Sequence, residues 1–322
     1  MRKKYIVWLG YLLGALCLYW AFRGISFSEV GQAFLHAKPL WIVLAITIYS
    51  GGYLMRTVRW SVLLRPVRNI HSNQLFWPMM IGFFANNVLP LRMGEVVRAH
   101  ICGKKFEISR TSSLGSIFLE RICDTLAFLS TFLISSIFLP FPKYMENGAW
   151  VLGGGCVGAV ITVMVIRAHE ARFYRLVDRF PLPVSWKERI KHLAGHFIHS
   201  ISGVTQPRYV IEAMVLSIVV WTIEGSFLFL MAHAFSVPLS YGQAFFLLFA
   251  IGLSVTLPQA PGYVGTFEIF GVTALSLLGI AKSQGLPLIL AVHATQFVFV
   301  GILGFIGLWQ ENLSLHSLAS TN

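Results

Sequence analysis

Apolar runs of about 20 residues recur along almost the whole chain, and two of them are cut by prolines, glycines and an acidic residue. Wound as a helix, a run of that length matches the hydrocarbon thickness of a bilayer. Of the 322 residues, 56% are hydrophobic and only 12% charged, against roughly a quarter charged in soluble domains. A globule cannot bury that much apolar surface, whereas lipid can. The sequence predicts an all-α polytopic membrane protein built as a single membrane domain, residues 1–322. It contains no polar stretch long enough to form a separate soluble catalytic domain.

Plain spans are expected at residues 5–22, 40–60, 114–139, 149–166, 209–235 and 287–309. Two further apolar stretches end differently. Residues 75–90 run into Leu89, Pro90, Gly94 and Glu95. Residues 241–257 run into Pro258, Pro261, Gly262, Gly265 and Glu268, after which 269–280 is apolar again. Prolines and glycines at this density forbid a continuous helix.

Charge decides the topology. The net charge of +12 comes from basic residues in the loops, which favours orientation and anionic lipid over nucleic acid as its cause. If both broken stretches enter and leave on one side, residues 2–4, 56–110 and 167–208 collect the basic clusters on the cytoplasmic face. The outer face then keeps only Arg23, Lys38, Lys143 and Lys282. The positive-inside rule thus predicts six transmembrane helices plus two re-entrant hairpins, with both termini cytoplasmic in a cell inner membrane. The first hairpin, about 75–112, faces the cytoplasm and lies in the first half, 1–139. The second, about 241–281, faces outward in the second half, 140–322. This arrangement predicts an inverted repeat, an architecture common among secondary transporters.

The start of the chain has the charge and apolar run of a signal peptide but no small-x-small cleavage site, so it is read as a retained first span. Residues 167–208 read as an amphipathic cytoplasmic segment. There Ile190, Leu193, Phe197 and Ile201 share one face, opposite Arg189, His192, His196 and His199. The histidines are read as a solvated polar face rather than metal ligands. Cys17, Cys102, Cys123 and Cys156 have no paired spacing, so no disulfide framework, metal or cofactor is expected. Gly153–Gly158 fits a dinucleotide fingerprint by spacing but sits inside an apolar run with no preceding strand, so it is dismissed.

Ionisable residues inside apolar runs cost about 2.5–3.5 kcal/mol each on insertion scales and need a partner or water. Glu120, Arg121 and Asp124 sit in one span, and Arg121 and Asp124 are three apart, within pairing reach. They form either a structural ion pair or a proton or headgroup site. Arg92, Glu95 and Arg98 follow the first break at three-residue spacing, and Asn86 and Asn87 precede it. Arginine suits phosphate because its planar fork bonds two oxygens at once. Glu224 lies mid-span and must pair across helices or carry a proton. His233 and His293 are read as structural.

In order along the chain come Tyr53, Arg56, Arg59-Trp60 and Leu63-Leu64, then Asn87, Leu89-Pro90, Arg92, Gly94-Glu95 and Arg98. Glu120-Arg121 and Asp124 follow, then Leu257-Pro258, Pro261-Gly262, Gly265 and Glu268. This ordered set resembles the flippase-like membrane domain of lysyl-phosphatidylglycerol synthases and their stand-alone relatives. The resemblance implies lipid translocation, or lipid handling tied to envelope modification. The synthases' soluble aminoacyl-transferase domain is not expected here, because the chain ends at Asn322 soon after its last span. The expectation is therefore a lipid flippase or transporter, not an enzyme. Its substrate would be an amphiphile with an anionic or phosphate headgroup held by Arg92, Arg98 and Arg59. Expected partners are that membrane lipid and either a second copy or an envelope enzyme, with no nucleic acid. The rival readings are a membrane-embedded transferase acting on lipid and a non-catalytic partner of an envelope enzyme. Against the transferase, no Asp-Asp or Asp-x-Asp metal pair occurs.

Overall fold

The computed structural model describes residues 12, 14–89, 93–138, 169–191 apart from 182, 207–256 and 261–313, with scattered residues between 143 and 165. The expected span 149–166 lies largely outside these residues and 5–22 does so in its first half, while Pro90, Arg92, Pro258 and the histidines at 192, 196 and 199 lie outside them altogether. A helical stretch at 14–22 precedes α1 (Phe27–Leu35) and α2 (Pro39–Leu64). Then come α3 (Ser72–Val88), α4 (Gly94–Lys105), α5 (Arg110–Phe138) and α6 (Glu170–Arg179). The chain continues through α7 (Pro207–Ala234), α8 (Tyr241–Thr256), a 3-10 turn (Pro261–Tyr263), α9 (Thr266–Leu277) and α10 (Lys282–Gln310). Among the described residues there is no strand.

Local chemistry explains the boundaries. Ser26 and Glu29 form a reciprocal capping box on α1, with bonds of 3.2 and 3.0 Å. Pro39 opens α2, where its missing N–H costs nothing. Helix α3 stops at Val88 because Leu89 precedes a proline, which pushes it to an extended conformation (φ −93°, ψ 142°).

Helices α2, α7 and α10 are long and apolar enough to cross a membrane. The chain is inside-out relative to a soluble protein. Leu40 and Phe305 are 67% and 65% exposed, while Arg59 and Glu120 are 0% exposed. Apolar side chains outside and charges within suit a hydrocarbon solvent, and the protein is an all-α polytopic membrane protein.

A long helix, a broken pair and a second long helix occur twice. The lengths are 26, 17, 12 and 29 residues for α2–α5. They are 28, 16, 12 and 29 residues for α7–α10. Helix α2 packs along α7 at the centre. The flanks are exchanged: α3 packs on α10, and α8 packs on α5. Close approach at both crossings needs a residue without a side chain. A Cβ on Gly304 would lie 2.2 Å from Phe84, and one on Gly252 would lie 2.2 Å from Phe128. Around these crossings lies the core, with Tyr49, Phe227, Phe246 and Leu275 among its members.

Candidate functional site

The first break turns between α3 and α4. Asn86, in the last turn of α3, accepts the first free amide of α4, Gly94 N–H, through Oδ1 at 2.8 Å. That one bond satisfies a helix N-terminus that the break would otherwise orphan. Gly94 is required, because a Cβ there would lie 1.9 Å from the Gly82 carbonyl oxygen.

Behind this break, α2, α4, α5 and α7 bring eight charged side chains together, four guanidiniums and four carboxylates. Arg98 makes a bidentate pair with Glu120, at 3.1 and 2.6 Å, and lies over the Trp60 ring at 3.6 Å. Arg59 reaches Asp124 with both terminal nitrogens and Glu120 at 3.3 Å, and donates to Ser217 at 2.8 Å. Arg121 bridges Glu120 at 2.5 Å and Asp124 at 2.9 Å, and faces Glu95 at 3.8 Å. Arg56 holds Glu224 at 2.6 Å, which is the cross-helix partner that the mid-span glutamate requires. The Trp221 indole N–H donates to Asp124 at 3.2 Å. The charges balance, and the planar forks of Arg98 and Arg59 each meet one carboxylate through both of its oxygens. Among the described residues, the Nε–H of Arg56, Arg59, Arg98 and Arg121 makes no hydrogen bond. Arg121 is the most open of the four, with 36% of its side chain exposed. It lines a small cleft with Asn86, Gly94, Glu95 and Arg98.

The second break is built otherwise. Gly262 and Gly265 take positive φ values of 70° and 91°, a region glycine occupies without strain. Glu268, in the first turn of α9, accepts the Gly265 amide at 2.7 Å through Oε2. Its other oxygen, Oε1, lies 2.5 Å from Nδ1 of His293 on α10, and Nε2 of that ring lies 2.8 Å from the Gly262 carbonyl oxygen. Phe267 stacks on the imidazole at 4.4 Å. His293 thus belongs to the break, which its lone position in an apolar run did not reveal. His233, read the same way, does serve structure: its Nδ1 contacts the Phe229 carbonyl oxygen at 3.0 Å.

A cavity of about 110 Å³ joins the two breaks. Asn86 and Asn87 line it from the first, Tyr263 and His293 from the second, and Tyr49 and Tyr53 from α2. It has room for several waters. Asn86 and Phe83 line both this cavity and the Arg121 cleft. The structure therefore gathers Arg59, Arg98, Glu120, Arg121, Asp124 and Glu95 in one cluster and Asn86 and Asn87 beside it. Glu268 lies apart, at the second break. Outside the spans, Lys191 joins the helical stretch at 184–191 to α6 through Asp178 at 2.6 Å, a bond that raises its ammonium pKa.

The fold and the site define a class: a multi-span helical membrane protein with a balanced charge cluster and two broken helix pairs facing one cavity. Residues 7–304 match the model of the lysylphosphatidylglycerol synthase TM region, and the chain belongs to that family. A UPF0104 membrane protein of Methanothermobacter thermautotrophicus is 22% identical over 86% of this chain and 87% of its own length. A second from the same organism is 24% identical over 90% and 86%. A protein of Haloferax volcanii named glycosyltransferase AglD is 24% identical over 95% of this chain but 54% of its own length. That name overturns the expectation that the chain is not an enzyme. A relative matched along nearly the whole of this chain is named for enzymatic activity, so catalysis within the family is suggested. Family membership points to a function tied to membrane lipids.

Proposed function

We propose that the protein carries a lipid with an anionic or phosphate-bearing headgroup across a cell inner membrane, serving envelope lipid modification or homeostasis. The observation that carries this reading is the cavity between the breaks, where Asn86 and Asn87 from the last turn of α3 face Tyr263 from the irregular turn of the second break. Irregular backbone is tolerated at membrane depth when it lines such a space. In this reading the headgroup enters the cavity among the Asn86, Asn87 and Gln296 amides and the tyrosine hydroxyls. Its negative charge meets Arg121, the guanidinium with the most exposed side chain in the cluster. Arg59 and Arg98, each occupied by carboxylates, set the wall rather than hold the phosphate. The acyl chains stay in lipid.

The twofold sequence of long helix, broken pair and long helix supports an inverted repeat with two re-entrant hairpins, one open to each face. The clustering of basic residues supports cytoplasmic termini. Because α3 packs on α10 and α8 on α5, the hairpins rather than the two halves are the moving parts. A second copy or an envelope enzyme is the protein partner in this scheme.

The test is reconstitution into vesicles with fluorescent phosphatidylglycerol, phosphatidic acid or a polyprenyl phosphate, followed by quenching of the outer leaflet. Movement between leaflets is expected for at least one of them. No movement of any, with or without an ion gradient, sinks the reading. A second reading, transfer of a glycosyl group onto a lipid carrier, is favoured by the name of the Haloferax relative alone. Mass spectrometry of the same vesicles after addition of a sugar donor separates the two, since only the second yields a new covalent lipid product.

A further inference from the structure

Resting on the translocation reading, we propose that the second break is a proton-binding site, His293 with Glu268, and that this proton is the ion coupled to lipid movement. A carbonyl oxygen only accepts, so the Nε2 atom that lies 2.8 Å from the Gly262 oxygen carries a hydrogen. A carboxylate oxygen 2.5 Å from Nδ1 needs a proton between the two atoms, because two lone pairs repel at that separation. Written as imidazolium and carboxylate, or as imidazole and carboxylic acid, the pair holds one proton more than a neutral ring beside an ionised glutamate. The proton count is the same whichever atom keeps it.

Geometry ties that proton to the break. The second oxygen of Glu268 is fixed on the Gly265 amide at 2.7 Å, so the carboxylate cannot turn away without uncapping α9. When the proton leaves, the ring keeps one hydrogen for two acceptors. Either the carboxylate or the Gly262 carbonyl then faces a bare nitrogen. One contact must open, and Gly262 moves with it. A Cβ built on Gly262 would lie 2.9 Å from Phe297 and 3.6 Å from the Asn87 carbonyl oxygen of the first break, so this shift reshapes the cavity wall. His293 lines that cavity, which gives the proton a water route.

Few other groups compete for the titration. Facing the pair are Gln296 of α10, Tyr263 of the turn, Asn86 and Asn87 of α3, Tyr49 and Tyr53 of α2, and Cys17 of the helical stretch at 14–22. Among the described residues, no other carboxylate, lysine or arginine bonds to either member. The ion pair beside Tyr53, Arg56 with Glu224, is already neutral as a pair. The remaining cluster, Arg59, Arg98 and Arg121 with Glu95, Glu120 and Asp124, is likewise balanced. In each cycle a proton from cavity water joins the pair on one side and returns to water on the other, and no bond to the lipid is made.

Two measurements test this on the full-length protein in bilayers. The first is solid-state NMR of ¹⁵N-histidine-labelled protein at neutral pH, with the His293 signal assigned by its loss in His293→Gln. A doubly protonated ring, or a singly protonated ring beside a carboxylic acid band in the infrared that Glu268→Gln removes, is the expected result. A neutral ring beside an ionised Glu268 overturns the proposal whatever the transport assay gives. The second uses vesicles with fluorescent phosphatidylglycerol and a pH step at zero membrane potential. With one proton per lipid, the leaflet ratio should shift up to about tenfold per pH unit, and Glu268→Gln should abolish that dependence. Lipid movement indifferent to the pH step overturns the coupling while leaving translocation intact. No movement at all, with the proton seen by NMR, overturns the coupling and translocation together and leaves only the proton site.

Discussion

The two breaks solve one problem with opposite chemistry. Each must satisfy the amide that opens a helix inside the membrane. The first borrows a neutral amide from the preceding helix, Asn86 on Gly94, and stands against eight balanced charges. The second uses a carboxylate from its own helix, Glu268 on Gly265, and stands against an imidazole and aromatic rings. Glu95 and Glu268 look equivalent by their place after a Leu-Pro and a glycine. Yet Glu95 turns out toward Arg121, while Glu268 turns in to cap. A charge surrounded by compensating charges is fixed, whereas a charge facing one titratable partner can change. The difference suggests a static half and a responsive half.

The comparison can be broken first at its shared requirement. Gly94→Ala and Gly265→Ala should each cost more than about 4 kcal/mol. Their Cβ atoms would lie 1.9 Å from the Gly82 oxygen and 2.0 Å from the Gly14 oxygen. Loss of a monodisperse peak in detergent size-exclusion is the expected outcome, and normal behaviour of either variant means that break is looser than described.

Next in size, Glu120→Gln should cost about 3–5 kcal/mol, because Arg59, Arg98 and Arg121 would lose a common anion in a buried setting. Thermal unfolding in nanodiscs measures it. Glu268→Gln should cost less, about 1–2 kcal/mol, since a glutamine can still accept the Gly265 amide. If Glu268→Gln proves the more destabilising of the two, the division into static and responsive halves fails. At the bottom of the scale, Arg65→Ala removes a half-exposed pair with Glu212 at 3.1 Å and should change stability by less than about 1 kcal/mol. A larger loss there would show that ion pairs at the helix ends matter as much as those inside.

Much of this was legible along the chain, because helix breaks are written locally. Proline and glycine act on their own backbone, so both breaks, and the stop of α3 before Pro90, were visible as spacing. The three-residue step from Arg121 to Asp124 likewise announced its pair, seen at 2.9 Å. Glu224 announced only that it needed a partner. Which partner was not legible, since Arg56 lies 168 positions away and meets it only when α2 packs on α7. For the same reason Arg59 and Arg98 read as free phosphate ligands, although Asp124 and Glu120 already hold them. His293 was passed over because nothing near it in sequence is charged, and its significance comes from Glu268 on the preceding helix.

The exchange of flanking helices also has a consequence for how the chain is made. The face of α3 that carries Phe84 finds its permanent neighbour, Gly304, only about 220 residues later. At translation speeds of about 5–20 residues per second, that face waits roughly 10–45 seconds in the membrane before α10 emerges. Until then the first half has a shallow apolar notch that lipid, an insertion chaperone or the wrong helix can occupy. Final assembly is therefore a late, C-terminal event, and a ribosome that stalls before α10 leaves behind a chain whose earliest hairpin has nothing to close upon.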